Sequence, residues 1–308
     1  MSKDFDIVVV GELNPDLVLR GDVSPAFGQV EQLVDEATLT IGSSSAIFAC
    51  GAARLGLRVA FIGVMGDDEF GRFMHGELVK RRVDTSGIIV TPSLKTGLTV
   101  ILSRPSGDRA VLTFAGSIGA LRYDEIDFAL VSRARHLHLG SFFMLDNLRP
   151  DIPRLFAQAK SLGLTVSLDT NYDPTEQWDG GLAKTLPSVD IFLPNQTELL
   201  AITRTGSVAD GLAALSRQVP TVAIKLGAAG AVAQQGEITA QADILPVALV
   251  DTTGAGDSFD AGFIYGYLSG WDLRRTLRLA TVCGSLSTRA AGGTGAQAML
   301  EEALGYMK

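Results

Sequence analysis

Short runs of β-branched and apolar residues alternate along this chain with longer helix-forming segments, and this alternation constrains the fold more than any other feature. Six runs are predicted to be buried strands: 6–11, 58–66, 136–143, 164–171, 189–195 and 221–227. Helices are predicted over 44–56, 67–82, 149–162, 196–203 and 208–217. The pattern is typical of an α/β fold whose central, mostly parallel sheet is covered by helices on both faces. Ligands of such folds bind beyond the carboxyl ends of the strands, so a site is expected there.

Two segments, about 17–40 and 96–115, depart from this alternation. Both have alternating polar and apolar residues, and the turn sequence SRPSGDR at 103–109 predicts a β-hairpin. We expect the two segments to join in one small β-sheet that forms a lid over the carboxyl edge of the main sheet. No internal repeat or flexible linker interrupts residues 1–308, so they are expected to form a single domain. An exposed apolar face on the lid would pair with a second copy, which predicts a homodimer.

Composition excludes several classes of partner. The chain is 46% hydrophobic and 19% charged, as in an ordinary globular protein. Its net charge of −8 argues against nucleic acid or an anionic membrane surface as a partner. Cys50 and Cys283 lie in apolar stretches and are expected to be buried free thiols, which suits a reducing compartment. Neither a signal peptide nor an apolar run of about 18 residues is evident, so a cytoplasmic protein is expected.

The stretch DTTGAGDSFDAGF at 251–263 combines a glycine-rich turn with a predicted helix over 258–268. Gly and Thr are poor helix formers, so the first half of the stretch is not expected to be helical. Asp257 stands at the junction, where the helix macrodipole favours a negative charge. The same position is also a candidate anion site, because unpaired backbone N–H groups converge where a helix begins. These residues by themselves leave both interpretations open.

This stretch resembles the second signature of the ribokinase-like (PfkB) carbohydrate kinase family. The matching positions are Asp251, Thr252, Gly254, Ala255, Gly256, Asp257, Ala261, Gly262 and Phe263. The resemblance implies that Asp257 is the general base for the acceptor hydroxyl and contacts the substrate. It also implies that backbone N–H groups of the turn Gly254–Ala255–Gly256 stabilise the transferred phosphoryl group.

The resemblance extends over the whole chain and implies an acceptor site near the N-terminus. Asn14 and Asp16 follow the first strand, where N-P-D alone would indicate a β-turn, and the family binds sugar hydroxyls there. The segment 41–56 is similar to the first family signature, which places Gly42 and Ser43 at the substrate. Ser43 replaces the usual second glycine, and Ile47 stands where many members have an asparagine. That change makes the pocket locally more apolar and leaves the substrate open.

The resemblance also implies a nucleotide site. Asn195 and Glu198 have the spacing of a helix cap, and the family uses this N-x-x-E motif to organise Mg²⁺, water and the ATP phosphates. Lys225, Gly227 and Gly230 match the strand and loop that flank the nucleotide. Lys225 at a buried strand end needs an anionic partner, which favours a nearby phosphate.

A monovalent cation site and a histidine pair complete the candidate sites. Asp251 and Thr253, with the loop 290–295, resemble the family's site for K⁺. His136 and His138 lie two apart on a strand and face one side, but no third metal ligand is evident. No catalytic role is assigned to either of them or to His75.

The sequence therefore predicts an ATP- and Mg²⁺-dependent kinase that phosphorylates a primary hydroxyl of a sugar or sugar-like substrate. Two alternatives stay open: a nucleoside kinase of the same family, and a non-catalytic sensor that binds sugar and nucleotide. A dinucleotide-dependent oxidoreductase is disfavoured, because the turn GELNPD at 11–16 lacks the G-x-G-x-x-G pattern.

Overall fold

The computed structural model describes residues 3–106 and 108–307. Gly107, in the predicted hairpin turn, lies outside the described residues, as do Met1, Ser2 and Lys308 of the predicted domain. The strands are β1 (Phe5–Val10), β2 (Pro15–Arg20), β3 (Glu36–Ile41), β4 (Val59–Gly66), β5 (Asp84–Thr91), β6 (Leu98–Ser103), β7 (Arg109–Phe114), β8 (Ala134–Leu139), β9 (Thr165–Leu168), β10 (Ile191–Phe192), β11 (Thr221–Lys225), β12 (Ala231–Gln235) and β13 (Ile238–Ala242). The α-helices are α1 (Ser44–Arg54), α2 (Glu69–Lys80), α3 (Phe128–Ser132), α4 (Ile152–Ser161), α5 (Leu182–Thr185), α6 (Gln196–Thr203), α7 (Val208–Leu215), α8 (Ala255–Leu268), α9 (Leu273–Ser287) and α10 (Leu300–Gly305).

A nine-stranded sheet forms the centre of the molecule, in the order β13-β12-β11-β10-β9-β8-β1-β4-β5. The strands from β11 to β5 are parallel, and β12 and β13 add an antiparallel edge. Alternate residues of β1 belong to different apolar cores, Ile7 and Val9 to one and Val8 and Val10 to the other. Because β1 is buried on both faces, its side chains form a continuous apolar run. The predicted α/β fold class is confirmed.

The six predicted strands are β1, β4, β8, β9, β10 and β11, although β10 is only two residues long. The hairpin β12–β13, strand β5 and helix α9 were not predicted. Strand β5 has the sequence DTSGIIVT and is mostly half-exposed at the sheet edge, so its apolar pattern is weak. Helix α9 is buried along most of its length and packs against α8, a contact that local sequence does not reveal.

Residues of the two irregular segments form a separate four-stranded sheet, in the order β3-β2-β6-β7. The predicted hairpin strands are β6 and β7, which pair antiparallel, and β2 joins them parallel to β6. This second sheet is called the small sheet below. On one of its faces, the inner face, the cross-strand rows are Asp16–Thr99–Thr113, Val18–Ile101–Val111 and Arg20–Ser103–Arg109.

Two further expectations concern cysteines and membranes. Cys50 and Cys283 are buried and free, and burial raises the pKa of each thiol to about 12, which leaves both unreactive. Among residues 3–106 and 108–307, none of the helices combines the length and apolar character of a membrane span.

Candidate active site

Two neighbouring cavities lie at the carboxyl ends of the parallel strands. The larger, about 890 Å³, is lined by residues that directly follow β1, β8, β9 and β10 and by the inner face of the small sheet. The second, about 560 Å³, lies against β11, α8 and α9. Both are lined by Lys225, Gly227 and Gly256, so they meet at the start of α8. A ligand in one cavity can therefore reach a ligand in the other.

The sequence predicted that helix α8 begins at Ser258, but the helix begins at Ala255. Gly254 caps it with φ of +70°, and a Cβ at this position would lie 2.6 Å from the Cα of Gly293. Only glycine fits so close an approach in that conformation, and the chain is thereby turned into helical geometry earlier than residue propensities indicate. The first hydrogen bond of the helix runs from the Ser258 amide to the Gly254 carbonyl, at 2.9 Å. The amides of Gly256 and Asp257 precede it and are available to an anion.

Ala255 is placed differently within the predicted anion-binding turn. Its amide donates to the carbonyl of Thr252 at 3.2 Å, which engages one of the expected donors within the protein. Gly254 and Gly256 line the larger cavity, whereas Ala255 lines the second one.

Asp257 lies in the first turn of α8 and lines the larger cavity. Burial raises the pKa of its carboxyl group to about 8, the charge of Asp169 adds to the rise, and a hydrogen bond from the Ser44 hydroxyl opposes it. A carboxyl group with a pKa near the working pH is well matched to proton transfer. The carboxyl group of Asp257 lies in the same first turn of α8 as the free amides.

Asp16 and Asn14 line the same cavity, on the side of the small sheet. Burial, followed by the charges of Glu12 and Asp251, raises the pKa of Asp16 to about 7. The side-chain amide of Asn14 donates to the Thr99 hydroxyl on β6 at 3.3 Å, which ties Asn14 to the small sheet.

Gly42 and Ser43, predicted to contact substrate, support neighbouring residues. A Cβ on Gly42 would lie 2.0 Å from a carboxylate oxygen of Asp16, so this glycine makes room for Asp16 and does not line the cavity. The Ser43 hydroxyl accepts from the Ala46 amide at 3.0 Å and donates to the Glu12 carbonyl at 2.7 Å. Ser43 lines the cavity, but its hydroxyl already serves as the cap of α1.

Glu12 is a buried cavity residue that the sequence reasoning did not single out. Its carboxylate accepts from the hydroxyls of Ser45 at 2.6 Å and Ser141 at 2.8 Å. Glu12 follows β1, Ser141 follows β8, and Asp169 follows β9. A polar residue directly after a parallel strand is the signal that would have identified all three.

Asn195 and Glu198 form a reciprocal capping box at the start of α6. The Asn195 side chain accepts from the Glu198 amide at 3.0 Å, and the Glu198 carboxylate accepts from the Asn195 amide at 2.8 Å. Burial, followed by the charge of Asp169, raises the pKa of Glu198 to about 7. The Glu198 carboxylate and the Asn195 side-chain oxygen are hard oxygen ligands of the kind that Mg²⁺ prefers. Each of these oxygens accepts one hydrogen bond within the capping box and keeps a second lone pair, so the cap does not exclude a metal.

Lys225 has its anionic partners within the protein, which removes the reason for expecting a phosphate beside it. Its ammonium group donates to Asp169 at 2.7 Å and to Asp260 at 3.1 Å. Burial by itself lowers the pKa of Lys225, but the charges of Asp169 and Asp260 outweigh it, so this pKa lies above its ordinary value. Asp169, Asp257 and Asp260 lie close enough to share a cation, and the Lys225 ammonium already contacts two of them.

The second cavity is lined largely by apolar residues. Leu245, Val247 and Phe259 are among its lining residues, with Gly227 and Gly230 at one side. Gly230 has φ of +83°, and a Cβ there would lie 2.2 Å from the carbonyl oxygen of Ala242, so only glycine is accommodated.

The predicted monovalent cation site has a different arrangement from the one expected. The carboxylate of Asp251 accepts from two guanidinium groups, Arg20 at 3.2 Å and Arg109 at 3.5 Å. It also accepts from the amides of Thr253 and Gly292, both at 3.0 Å. Burial by itself raises the pKa of Asp251, but these amide hydrogen bonds outweigh it and lower the pKa. These groups are donors, so the residues present do not fit a bound cation.

The histidine pair is structural. His136 and His138 are buried, and each has a ring nitrogen within hydrogen-bond distance of the Ser167 hydroxyl, at 2.7 and 2.8 Å. Burial lowers the pKa of His138 to about 3, so the ring is neutral.

Comparisons with known proteins agree with this architecture. A family model described as pfkB family carbohydrate kinase matches residues 4–299. An ATP-dependent ribose-1-phosphate kinase of Halopiger xanaduensis is 31% identical over 94% of each chain. An Arabidopsis thaliana ribokinase solved with ribose and ATP superimposes with a TM-score of 0.83 at 25% identity, over 100% of this chain and 99% of its own. An E. coli protein described as a ribokinase II, solved with ATP and Mg²⁺, has a TM-score of 0.86 at 25% identity, with the same coverage.

Proposed function

Because this chain belongs to the pfkB family of carbohydrate kinases, we propose that it transfers the γ-phosphoryl group of ATP to a primary hydroxyl of a sugar or sugar-like substrate. The observation that carries the proposal is the start of α8, where the Asp257 carboxyl group and free amides face the larger cavity beside the second one. The acceptor occupies the larger cavity, and the adenosine part of ATP occupies the second.

The chain's own groups perform the transfer as follows. Asp16 and Asn14 hold hydroxyl groups of the acceptor and direct one hydroxyl towards Asp257. Asp257 takes the proton of that hydroxyl as its oxygen attacks the γ-phosphorus and the bond to the β-phosphate oxygen breaks. The amides of Gly254, Gly256 and Asp257 stabilise the negative charge on the transferred group.

The metal has a supporting role. Asn195 and Glu198 would hold Mg²⁺ directly or through water, and the ion supplies positive charge that screens the nucleotide phosphates. Lys225 remains paired with Asp169 and Asp260, and it keeps this acidic group of side chains from repelling the nucleotide.

An uncharged acceptor fits the larger cavity best. Apart from Lys225, whose charge is balanced, the charged residues among its lining are all acidic: Glu12, Asp16, Asp169, Glu198 and Asp257. An anionic acceptor, such as a sugar phosphate or a sugar acid, would face this acidic lining without a cationic partner. The proposal therefore predicts an acceptor different from the one in the name of its ribose-1-phosphate kinase relative.

A nucleoside is the second candidate acceptor. Ile47 and the inner-face residues Ile101 and Val111 give the cavity an apolar side next to Asp16, because Ile101 and Val111 lie in the neighbouring row of the same sheet face. A ribose held by the polar side would place its base against the apolar side.

The small sheet is proposed to act as a lid, built from the segments 17–40 and 96–115. Its inner-face residues Asp16, Thr99, Ile101, Val111 and Thr113 line the acceptor cavity. A lid that contributes lining residues excludes water from the transferred phosphoryl group when the acceptor is bound.

A coupled assay of ADP release tests the proposal. Neutral pentoses, neutral hexoses, sugar acids, sugar phosphates and nucleosides are each tested with ATP and Mg²⁺, beside the variant Asp257→Asn. ADP release with a neutral sugar, about 10²- to 10⁴-fold slower in the variant, is the expected result. Activity with nucleosides only would favour the second candidate. Binding of acceptor and ATP without ADP release would indicate the non-catalytic sensor and overturn the proposal.

A further inference from the structure

The hydrogen bonds around Asp251 identify an unusual connection between the small sheet and the turn before α8. Arg20 Nη2 contacts one carboxylate oxygen, which also accepts from the Gly292 amide. Arg109 Nη1 lies 3.5 Å from the other oxygen and 2.9 Å from the Thr253 hydroxyl, and Arg109 Nη2 lies 3.2 Å from the Thr252 hydroxyl. One acidic side chain, only 9% exposed, is thus held by two guanidinium groups.

This arrangement is the opposite of what a bound monovalent cation requires. A cation such as K⁺ needs converging oxygen acceptors, but arginine side chains and the Gly292 amide point hydrogen-bond donors at this carboxylate. The two guanidinium charges exceed the single carboxylate charge, so an additional cation would be repelled. The expectation of K⁺ at Asp251 and Thr253 is therefore not supported by these contacts.

The two arginines belong to one row of the small sheet. Arg20 on β2 and Arg109 on β7 both pair with Ser103 of β6, so their side chains leave the same face. That face carries Asp16 and Val111, which line the acceptor cavity. The arginines therefore contact Asp251 with this face lying over the cavity.

We propose that Arg20 and Arg109 are positioning residues that take the place of a monovalent cation and hold the segment 251–254 while the small sheet covers the acceptor. Gly254 belongs to the turn whose amides bind the transferred phosphoryl group. The contact therefore links enclosure of the acceptor to the geometry of the anion site. The inference rests on the proposed function, because anion-site geometry affects turnover only if phosphoryl transfer takes place there.

The first test compares salts. Initial rates of the wild-type chain are measured with K⁺, Na⁺ and tetramethylammonium chlorides at equal ionic strength, and agreement within about twofold is expected. A rate in K⁺ about fivefold or more above the rate in tetramethylammonium would overturn the proposal that the two arginines replace a cation.

The second test removes the guanidinium groups. The double variant Arg20→Met with Arg109→Met should lose about 10- to 100-fold in kcat through misplacement of the anion site, with ATP affinity retained. The matched control is Arg104→Met, since Arg104 lies next to the same row but contacts Ser24 and Asp108, away from the turn. Wild-type kcat in the double variant, or an equal loss in the control, would overturn the role of the pair.

A measurement independent of turnover separates this inference from the proposed function. Amide hydrogen exchange of residues 252–256 should rise about tenfold or more in the double variant and stay unchanged in the control. Unchanged exchange in the double variant would overturn the positioning role even if an acceptor is never found. The double variant Arg20→Lys with Arg109→Lys keeps both positive charges but lacks the planar guanidinium groups. It replaces the double Met variant if that protein fails to fold.

Discussion

Asp257 is the side chain on which the proposed chemistry depends most directly, and the substitution Asp257→Asn tests it. Asn keeps the size of the side chain but cannot accept the hydroxyl proton, so kcat should fall about 10²- to 10⁴-fold. ATP affinity should be retained, because Asn195 and the residues of the second cavity are unchanged. The melting temperature should stay equal or rise, since a buried amide has no carboxyl group to ionise. Kinetics, nucleotide titration and thermal melting provide the three readouts.

The control for this substitution is Asp272→Asn, which makes the same change at the start of α9, where Asp272 caps the Arg275 amide at 2.9 Å. Asn and Asp are comparable caps, so this variant should match the wild type. Near-normal kcat in a folded Asp257→Asn protein would show that Asp257 serves the helix terminus alone.

The pH dependence of kcat/KM follows from the same residue. A pKa of about 8 means that Asp257 is protonated in the free protein below that pH and unable to accept a proton. Activity should therefore rise with pH through about 8 and level off above it. The carboxyl groups of Asp16 and Glu198, with pKa values of about 7, must also ionise and add to the rising limb. A kcat/KM that stays constant from below to above pH 8 would contradict the assignment of Asp257 as the base.

At the scale of the element, the start of α8 depends on the close approach of the Gly254 and Gly293 backbones. Gly254→Ala combines an unfavourable positive φ with a Cβ 2.6 Å from the Cα of Gly293, so both kcat and melting temperature should fall. Gly270→Ala is the matched control, since Gly270 has the same φ of +70° and an open surrounding. The control should lose only about 1 kcal/mol of unfolding free energy and keep its kcat. Equal behaviour of the two variants in denaturant titrations and rate assays would refute the packing argument.

At the scale of the whole molecule, the outer face of the small sheet predicts a homodimer. Its exposed apolar residues include Leu39, Leu112 and Phe114, with Leu112 61% exposed. Exposed apolar side chains grouped on one sheet face are typical of an interaction surface. Leu112→Arg should shift sedimentation from dimer to monomer and leave the protomer folded, as circular dichroism would show. Val79→Arg, which changes an exposed residue of α2, should leave the dimer intact; a wild-type monomer at high concentration would exclude the prediction.

The sequence by itself determined the fold class and the positions from which a site is built. Strands read as apolar runs because parallel strands are buried on both faces, and polar residues after them, such as Asn14 and Asn195, face the cavity because those strand ends share one edge. The glycine-rich turn could also be predicted from the sequence, since glycine is the residue that readily adopts the positive φ found at Gly254. Family resemblance added chemical roles to these positions.

The tertiary structure alone decided which charges meet. Lys225 pairs with Asp169 and Asp260, and Asp251 pairs with Arg20, which is 231 residues away in the chain. Local sequence predicts helices, strands and turns because it sets backbone preferences over a few residues. Ion pairs between distant segments depend instead on strand register and on how one sheet lies over another, and packing of the entire chain sets both. For this reason the sequence predicted a phosphate beside Lys225 and a cation beside Asp251, whereas the fold places carboxylates and arginines there.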